Sequence, residues 1–167
     1  MLGALFFLSV SNFMNNYFGT VLVFQTERPV FLREQANKMY GVSAYYLSKM
    51  ITEMPVLIAA PLVMELVVYW GVMFSQSLDA FFGMFFALAL IGQVAAALGY
   101  FVSSLFNRME TATTVSSAFT MPIILLGGFF ANSNSFGWWI MWMQYFSPIK
   151  YGFEMMTRTQ TGYYPFL

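Results

Sequence analysis

FQTERPVFLREQANKMYG, Phe24 to Gly41, holds five of the chain's fourteen Asp, Glu, Lys and Arg residues in eighteen positions. The rest of the sequence gives this concentration its meaning. Of 167 residues, 59% are hydrophobic, 20% aromatic and only 8% charged, against about 25% charge in an ordinary soluble domain. Mean hydropathy is +0.66. No charge occurs in residues 1–26, 80–107 or 111–149, and roughly 20 mainly apolar residues suffice to cross the hydrocarbon core as a helix. The composition is that of an all-α membrane protein in which Phe24 to Gly41 is a water-facing connection.

Working outward, spans are expected at about 3–25, 45–74, 81–106 and 111–131, each bounded by charge or by Gly, Ser and Asn. The first is not read as a signal peptide: it lacks a basic leader, and Asn12, Asn15 and Asn16 interrupt any short apolar core. Lys and Arg favour the cytoplasmic side. Arg28, Arg33 and Lys38 therefore put the opening stretch inside, Asp79 falls outside, Arg108 inside, and the segment after residue 131 outside. Trp138, Trp139, Trp142 and Tyr145 suit the outer headgroup belt, where an interfacial or reentrant helix is expected before Lys150, Glu154 and Arg158 return charge to the chain.

From Pro29, Leu32, Ala36, Met39 and Tyr40 recur at helical spacing opposite Arg33, Glu34, Asn37, Lys38 and Gly41, which predicts an amphipathic helix. Glu34 and Lys38 stand four apart in the favourable order. Two roles fit: a helix lying on the inner leaflet with its cations towards anionic lipid, or a docking surface for a cytoplasmic partner.

Much is excluded. The sequence has no Cys and no His, so zinc, haem and thiol chemistry and a serine triad find no ligands or base. Glu53, Glu65 and Asp79 are too dispersed for paired-carboxylate chemistry. Zero net charge offers nothing to nucleic acid, and no Asn-x-Ser/Thr acceptor is present.

The run Phe24-x-x-Glu27-Arg28-x-x-Phe31-x-Arg33-Glu34, then Met39-Tyr40, Ser43-x-Tyr45-Tyr46-Leu47-x-Lys49 and Glu53-x-Pro55, resembles the second-to-third-helix region of the G subfamily (White family) of ATP-binding cassette transporters. Gly127-Gly128-Phe129-Phe130-x-Asn132 resembles the end of that family's fifth helix. Trp139-x-x-Trp142-x-x-Tyr145-x-Ser147-Pro148-x-Lys150-Tyr151-Gly152-Phe153-Glu154 resembles its large external loop. The likeness covers essentially the whole chain. It implies one domain over 1–167, part of an ABC-2 (type-2 exporter) transmembrane domain: a polytopic all-α bundle of about four spans plus an amphipathic cytoplasmic connecting helix, without the family's first and sixth helices.

The resemblance also implies partners. No Gly-x-x-x-x-Gly-Lys-Ser/Thr phosphate loop is present, so the chain carries no catalytic residue. ATP and Mg2+ would belong to a partner nucleotide-binding domain, and a second transmembrane domain would complete a homo- or heterodimer. The implied function is outward movement of lipids, sterols or other amphipathic molecules across the plasma membrane or an organelle membrane. A truncated, non-transporting protein that pairs with and regulates full-length subunits is the alternative. Relatives with disulfides in the outer loop differ from this cysteine-free chain.

Residue by residue, the likeness makes Glu27, Arg28, Arg33, Glu34 and Lys38 the coupling joint to the motor, with Glu27 in a polar network. Asn16, Tyr17 and Thr20, with Phe119, Met121 and Ile124 around Pro122, would line a central cavity or else pack between helices. Phe129 and Phe130 would form an apolar valve on the outer side. Glu65 lies about sixteen residues beyond Lys49, inside the bilayer, where a carboxylate is by default a functional candidate; the alternative is a structural, bundle-facing carboxyl.

Overall fold

A computed structural model of the protein describes residues 2–71, 78–127, 145 and 147–161. Among these residues the helices are α1 (Leu2–Ala36), α2 (Val42–Gly71), α3 (Leu78–Leu105), α4 (Met109–Leu125) and α5 (Pro148–Thr161). No strand occurs among the described residues, so the all-α expectation holds.

Helices α1 and α3 form the centre and run parallel. Asn12 of α1 meets the Leu88 carbonyl of α3, and Gln25 meets Ser103. Helix α2 runs the opposite way, placing Glu53 at Tyr100 and Tyr69 at Phe81. The core comprises Leu5, Leu8, Phe13, Tyr17 and Val21 of α1 against Met84, Leu88, Ile91, Ala95 and Val102 of α3. Most successive members stand three or four residues apart, the spacing that keeps one helical face inward.

In lipid, apolar side chains gain little by meeting one another, so close packing and interhelical hydrogen bonds must hold the helices together. Both are present. Gly92, Ala96, Gly99 and Ser103 are buried along one face of α3, and a Cβ on Gly99 would stand 2.8 Å from the Tyr17 carbonyl oxygen. The backbones touch there because glycine has no side chain. Nearby, Asn12 Nδ2 donates to the Leu88 carbonyl at 2.7 Å, and Asn16 Nδ2 donates to Asn12 Oδ1 at 2.9 Å. Of the asparagines that interrupt the first apolar run, Asn12 is an interhelical hydrogen bonder and Asn16 braces it from within α1.

Helix α2 is apolar on nearly every face. Only Pro61, Glu65 and Tyr69 are fully buried in it, while Leu47, Ile51, Val56, Val63, Val67 and Trp70 are exposed. Such a surface suits lipid rather than water. Helices α2 and α3 are long and apolar enough to cross a membrane, at the places expected for the second and third spans.

Three expectations are corrected. The helix predicted to start afresh at Pro29 is the tail of α1, which continues through Pro29. That tail ends at Ala36, so Lys38, Met39, Tyr40 and Gly41 lie in a turn. Lys38 takes a left-handed φ of 53°; its N–H donates to Gln35 O at 3.0 Å and that of Met39 to Glu34 O at 3.3 Å. This paired closure is the helix-ending arrangement that normally recruits glycine. Finally, α4 stops at Leu125, before the expected residue 131: the N–H groups of Leu126 and Gly127 turn back to Pro122 O and Ile124 O.

Candidate functional site

The charged stretch becomes a joint because three helix ends converge on it. The last carbonyls of any helix lack intrahelical partners. At the end of α3, Gln25 Nε2 donates to Ser103 O at 2.8 Å and to Phe106 O at 3.0 Å. Arg28 donates through Nη1 to the Phe106 carbonyl as well, which places a cation where the α3 dipole is negative. Side chains of α1 thus cap α3.

Between Gln25 and Arg28, Glu27 joins α1 to α2. Its Oε2 accepts from Lys49 Nζ and from Tyr45 Oη at 3.1 Å. Lys49 Nζ also lies 3.1 Å from Glu53 Oε1, and Glu53 Oε2 accepts from Tyr100 Oη of α3. Glu27, Lys49, Glu53, Tyr45 and Tyr100 thus form a continuous network across three helices. The Lys49 side chain is 14% exposed, against 40% for Glu27 and 23% for Glu53. A half-sequestered ammonium between two carboxylates has lower effective dielectric and a stronger orientation than a surface pair.

Around the network, Phe31 stands 4.5 Å from Tyr45, ring centre to ring centre, and Tyr40 stacks on Tyr45 at 5.9 Å. Tyr40 Oη donates to Glu34, and that bond pushes the Tyr40 hydroxyl up to about 12. Glu34 is therefore engaged with the turn rather than with Lys38. Arg33 is exposed on the tail of α1.

Of the five joint residues expected from sequence, the structure draws Glu27 and Arg28 into interhelical contacts and leaves Glu34 and Lys38 shaping the turn. The sequence reading did not give Lys49, Glu53, Tyr45 and Tyr100 a role. The i,i+4 spacing of Lys49 and Glu53 was a usable signal. Tyr100 lies 47 positions from Glu53, and nothing local announces their contact.

The expected cavity residues divide. Tyr17 is fully buried and Thr20 nearly so; Tyr17 stacks on Phe13 at 5.6 Å, and its hydroxyl faces Ser116 and Thr120 of α4 without closing a hydrogen bond. Asn16 is tied to Asn12. Phe119 and Met121, by contrast, are exposed on α4, and Ile124 packs at the edge of the core. Within one chain these two sets do not share a surface. Glu65 is fully buried, and neither carboxyl oxygen has a hydrogen-bond partner. Phe129, Phe130 and Trp138, Trp139 and Trp142 lie outside the described residues. No group of His, Cys, Asp or Glu able to hold a metal occurs among those described.

A helical bundle with lipid-suited faces and a charged network at one end defines a membrane protein. Comparison with known proteins makes this specific: the ABC-2 type transporter family matches residues 1–161, and the chain belongs to that family. Protein white of Ceratitis capitata is 32% identical over 158 residues, covering 95% of this chain and 23% of that protein. The ABC transporter ATP-binding protein/permease wht-1 of Caenorhabditis elegans is 36% identical over 148 residues, 87% of this chain and 22% of its own length. The broad substrate specificity ATP-binding cassette transporter ABCG2 of Mus musculus is 27% identical over 155 residues, 92% of this chain and 23% of its own. The resemblance to the G (White) subfamily is borne out, and the chain spans less than a quarter of the length of each of these relatives.

Proposed function

We propose that this chain is the membrane-spanning part of an ATP-driven exporter that moves lipids, sterols or other amphipathic molecules outward. ATP and Mg2+ bind on a nucleotide-binding domain, and a second membrane domain faces this one. Four helices, α1 to α4, cross the bilayer, with the charged end in the cytoplasm.

The observation that carries this reading is the Glu27–Lys49–Glu53 network within a membrane domain of the ABC-2 family. It locks the ends of α1, α2 and α3 together, so a push on the α1–α2 turn moves three helices as one body rather than bending one. Ionic and hydrogen-bonded contacts have two discrete arrangements, made or broken, which is what a coupling element needs. Phe119 and Met121, exposed on α4, would face the opposite membrane domain and the cargo. Phe129 and Phe130 would close the outer side.

The test is transport by the assembled protein in proteoliposomes. ATP-dependent accumulation of a fluorescent sterol or phospholipid is expected, and the Glu27→Gln variant should hydrolyse ATP without moving it. Normal efflux and normal cargo-stimulated hydrolysis in that variant would remove the coupling role. The Phe129→Ala, Phe130→Ala double variant should leak cargo without losing expression.

A further inference from the structure

Helix α5 carries the last three charged side chains of the sequence, Lys150, Glu154 and Arg158. They stand four residues apart, so they form one stripe along the helix. The apolar face of α5 is occupied elsewhere: Ile149, Gly152 and Met156 are buried, and Phe153 meets Phe6 of α1 edge to face at 5.7 Å. Lys150 and Glu154 are half-buried, and Arg158 is exposed.

The neighbours of α5 fix the depth of this stripe. Gly83 of α3 closes on Thr159, and Gly152 closes on Ile91, so α5 runs antiparallel to the half of α3 that begins at Leu78. At 1.5 Å per residue, Arg158, Glu154 and Lys150 then lie roughly 8, 15 and 21 Å below the level of Asp79. Ile91 is at the middle of α3, a helix long enough to cross the roughly 30 Å hydrocarbon layer. Lys150 and Glu154 are therefore charged groups at hydrocarbon depth.

That position restricts what can face them. Among the described residues the ion pairs are those of Lys49; the Lys150 ammonium lies instead 5.3 Å from the centre of the Tyr145 ring. Lipid is excluded, because a charge within the membrane faces a protein partner or water. A second copy fits no better, since a two-fold axis along the membrane normal sets each charge level with its own kind. Water remains. The other flank of α5 shows the contrast: there Met155 borders Leu90 and Val94 of α3 in an apolar groove of about 280 Å3. One helix thus divides a lipid-suited side from a charged side.

We propose that the charged stripe of α5 lines a water-filled vestibule, open at the Asp79 end of the bundle and reaching the middle of the membrane beside Lys150. Its ligands are water and small anions. Two cations meet one carboxylate along the stripe, and the deepest charge is the Lys150 ammonium; Asp79 offsets this at the mouth alone. The vestibule lies at the opposite end of the bundle from the Glu27–Lys49–Glu53 network and holds whatever molecule the assembled protein transports.

Cysteine accessibility tests it, and this chain has no cysteine of its own. Lys150→Cys, Glu154→Cys and Thr157→Cys are made in the full protein, placed in lipid nanodiscs and treated with a membrane-impermeant thiosulfonate, and peptide mapping locates the label. Leu90→Cys and Val94→Cys are the controls, because both side chains are open, 46% and 42% exposed, and stand at the same depth on the lipid side. Only a thiol that meets water ionises and reacts, so the stripe positions should be modified at least about tenfold faster than the controls. Equal rates would overturn the vestibule. Thr157, one turn beyond Glu154 on the same stripe, keeps all three charges when replaced and serves where the charge variants do not fold. At Thr157→Cys an anionic thiosulfonate should react about threefold faster than a cationic one, each scaled to its rate with a free thiol. Equal scaled rates, or a faster cation, would overturn the assignment to anions.

Discussion

Tyr45 Oη donates a hydrogen bond to Glu27 Oε2 at 3.1 Å, joining two helices whose residues lie 18 positions apart. Lys49, one turn along α2, meets the same oxygen, so a single carboxylate atom holds both contacts. Replacing it by an amide should therefore weaken the joint more than an exposed pair would suggest. For Glu27→Gln the expected loss is about 1 kcal/mol, since the glutamate is partly exposed. Lys49→Met should cost more, leaving two carboxylates side by side without their cation. A double-mutant cycle read by thermal melting in lipid nanodiscs measures the coupling, and strict additivity of the two changes would show that the pair contributes nothing.

Glu65 predicts the opposite sign. A buried carboxyl with neither oxygen partnered carries a desolvation cost of about 1–3 kcal/mol. Glu65→Leu should accordingly raise the melting temperature of the purified protein. A fall would reveal a polar contact made in the assembled transporter, and loss of transport in a more stable Glu65→Leu protein would assign the carboxyl to function.

Gly99 and Gly152 are both closely packed, yet they should respond differently. A Cβ at Gly99 meets the main chain of Tyr17 at 2.8 Å, whereas one at Gly152 meets the tip of Ile91 at 2.2 Å. Backbone cannot step aside but a side-chain end can. Gly152→Ala should be restored by Ile91→Ala, while Gly99→Ala should cost about 1–3 kcal/mol and resist rescue by Thr20→Ala. Chemical-denaturation midpoints of the two double variants decide the matter.

Lys38 holds a left-handed backbone at the end of α1, which costs a non-glycine residue about 1–2 kcal/mol. Lys38→Gly should stabilise the turn by about 1 kcal/mol, visible as slower amide exchange across residues 34–40. Faster exchange there would mean that the lysine side chain itself holds the turn.

Tyr40 gives a pH prediction. Its hydrogen bond to Glu34 pushes the hydroxyl up to about 12 from 10.0. A raised value means that the folded state holds the proton longer, so the contribution is complete below about pH 10 and disappears as pH rises towards 12. The tyrosinate absorbance difference between the native protein and Tyr40→Phe should titrate near 12, and Glu34→Gln should return it towards 10. A midpoint near 10 in the unsubstituted protein would show that the bond does not form.

Apolar run length made α2 and α3 legible, and the uncharged stretches correctly marked the interior of α1. The turn at Lys38 was not legible, because residues 32–40 keep a helical spacing that competes with the closure onto Glu34 and Gln35. Pattern reading favoured a continued helix; the hydrogen bonds of Tyr40 and Met39 favoured the turn. Glu27 was recognisable from its neighbours in sequence, whereas Tyr100 reached Glu53 only through the packing of α2 on α3. Burial was hidden for the same reason. Asn16, Tyr17 and Thr20 share a helical face, but only the crossing with α3, set by Gly92 and Gly99, determines that this face is covered.

The uninterrupted course of α1 has a mechanical consequence. Its 35 residues make a rod about 52 Å long, continuous through Pro29 and packed on α3 at its middle, where Gly99 meets Tyr17 and Thr20. Such a rod is a lever with arms of nearly equal length. A tilt of about 5° about that point carries each end through roughly 2 Å, in opposite directions. The bundle therefore returns a stroke at its charged side as travel of similar size and opposite sense at the far side.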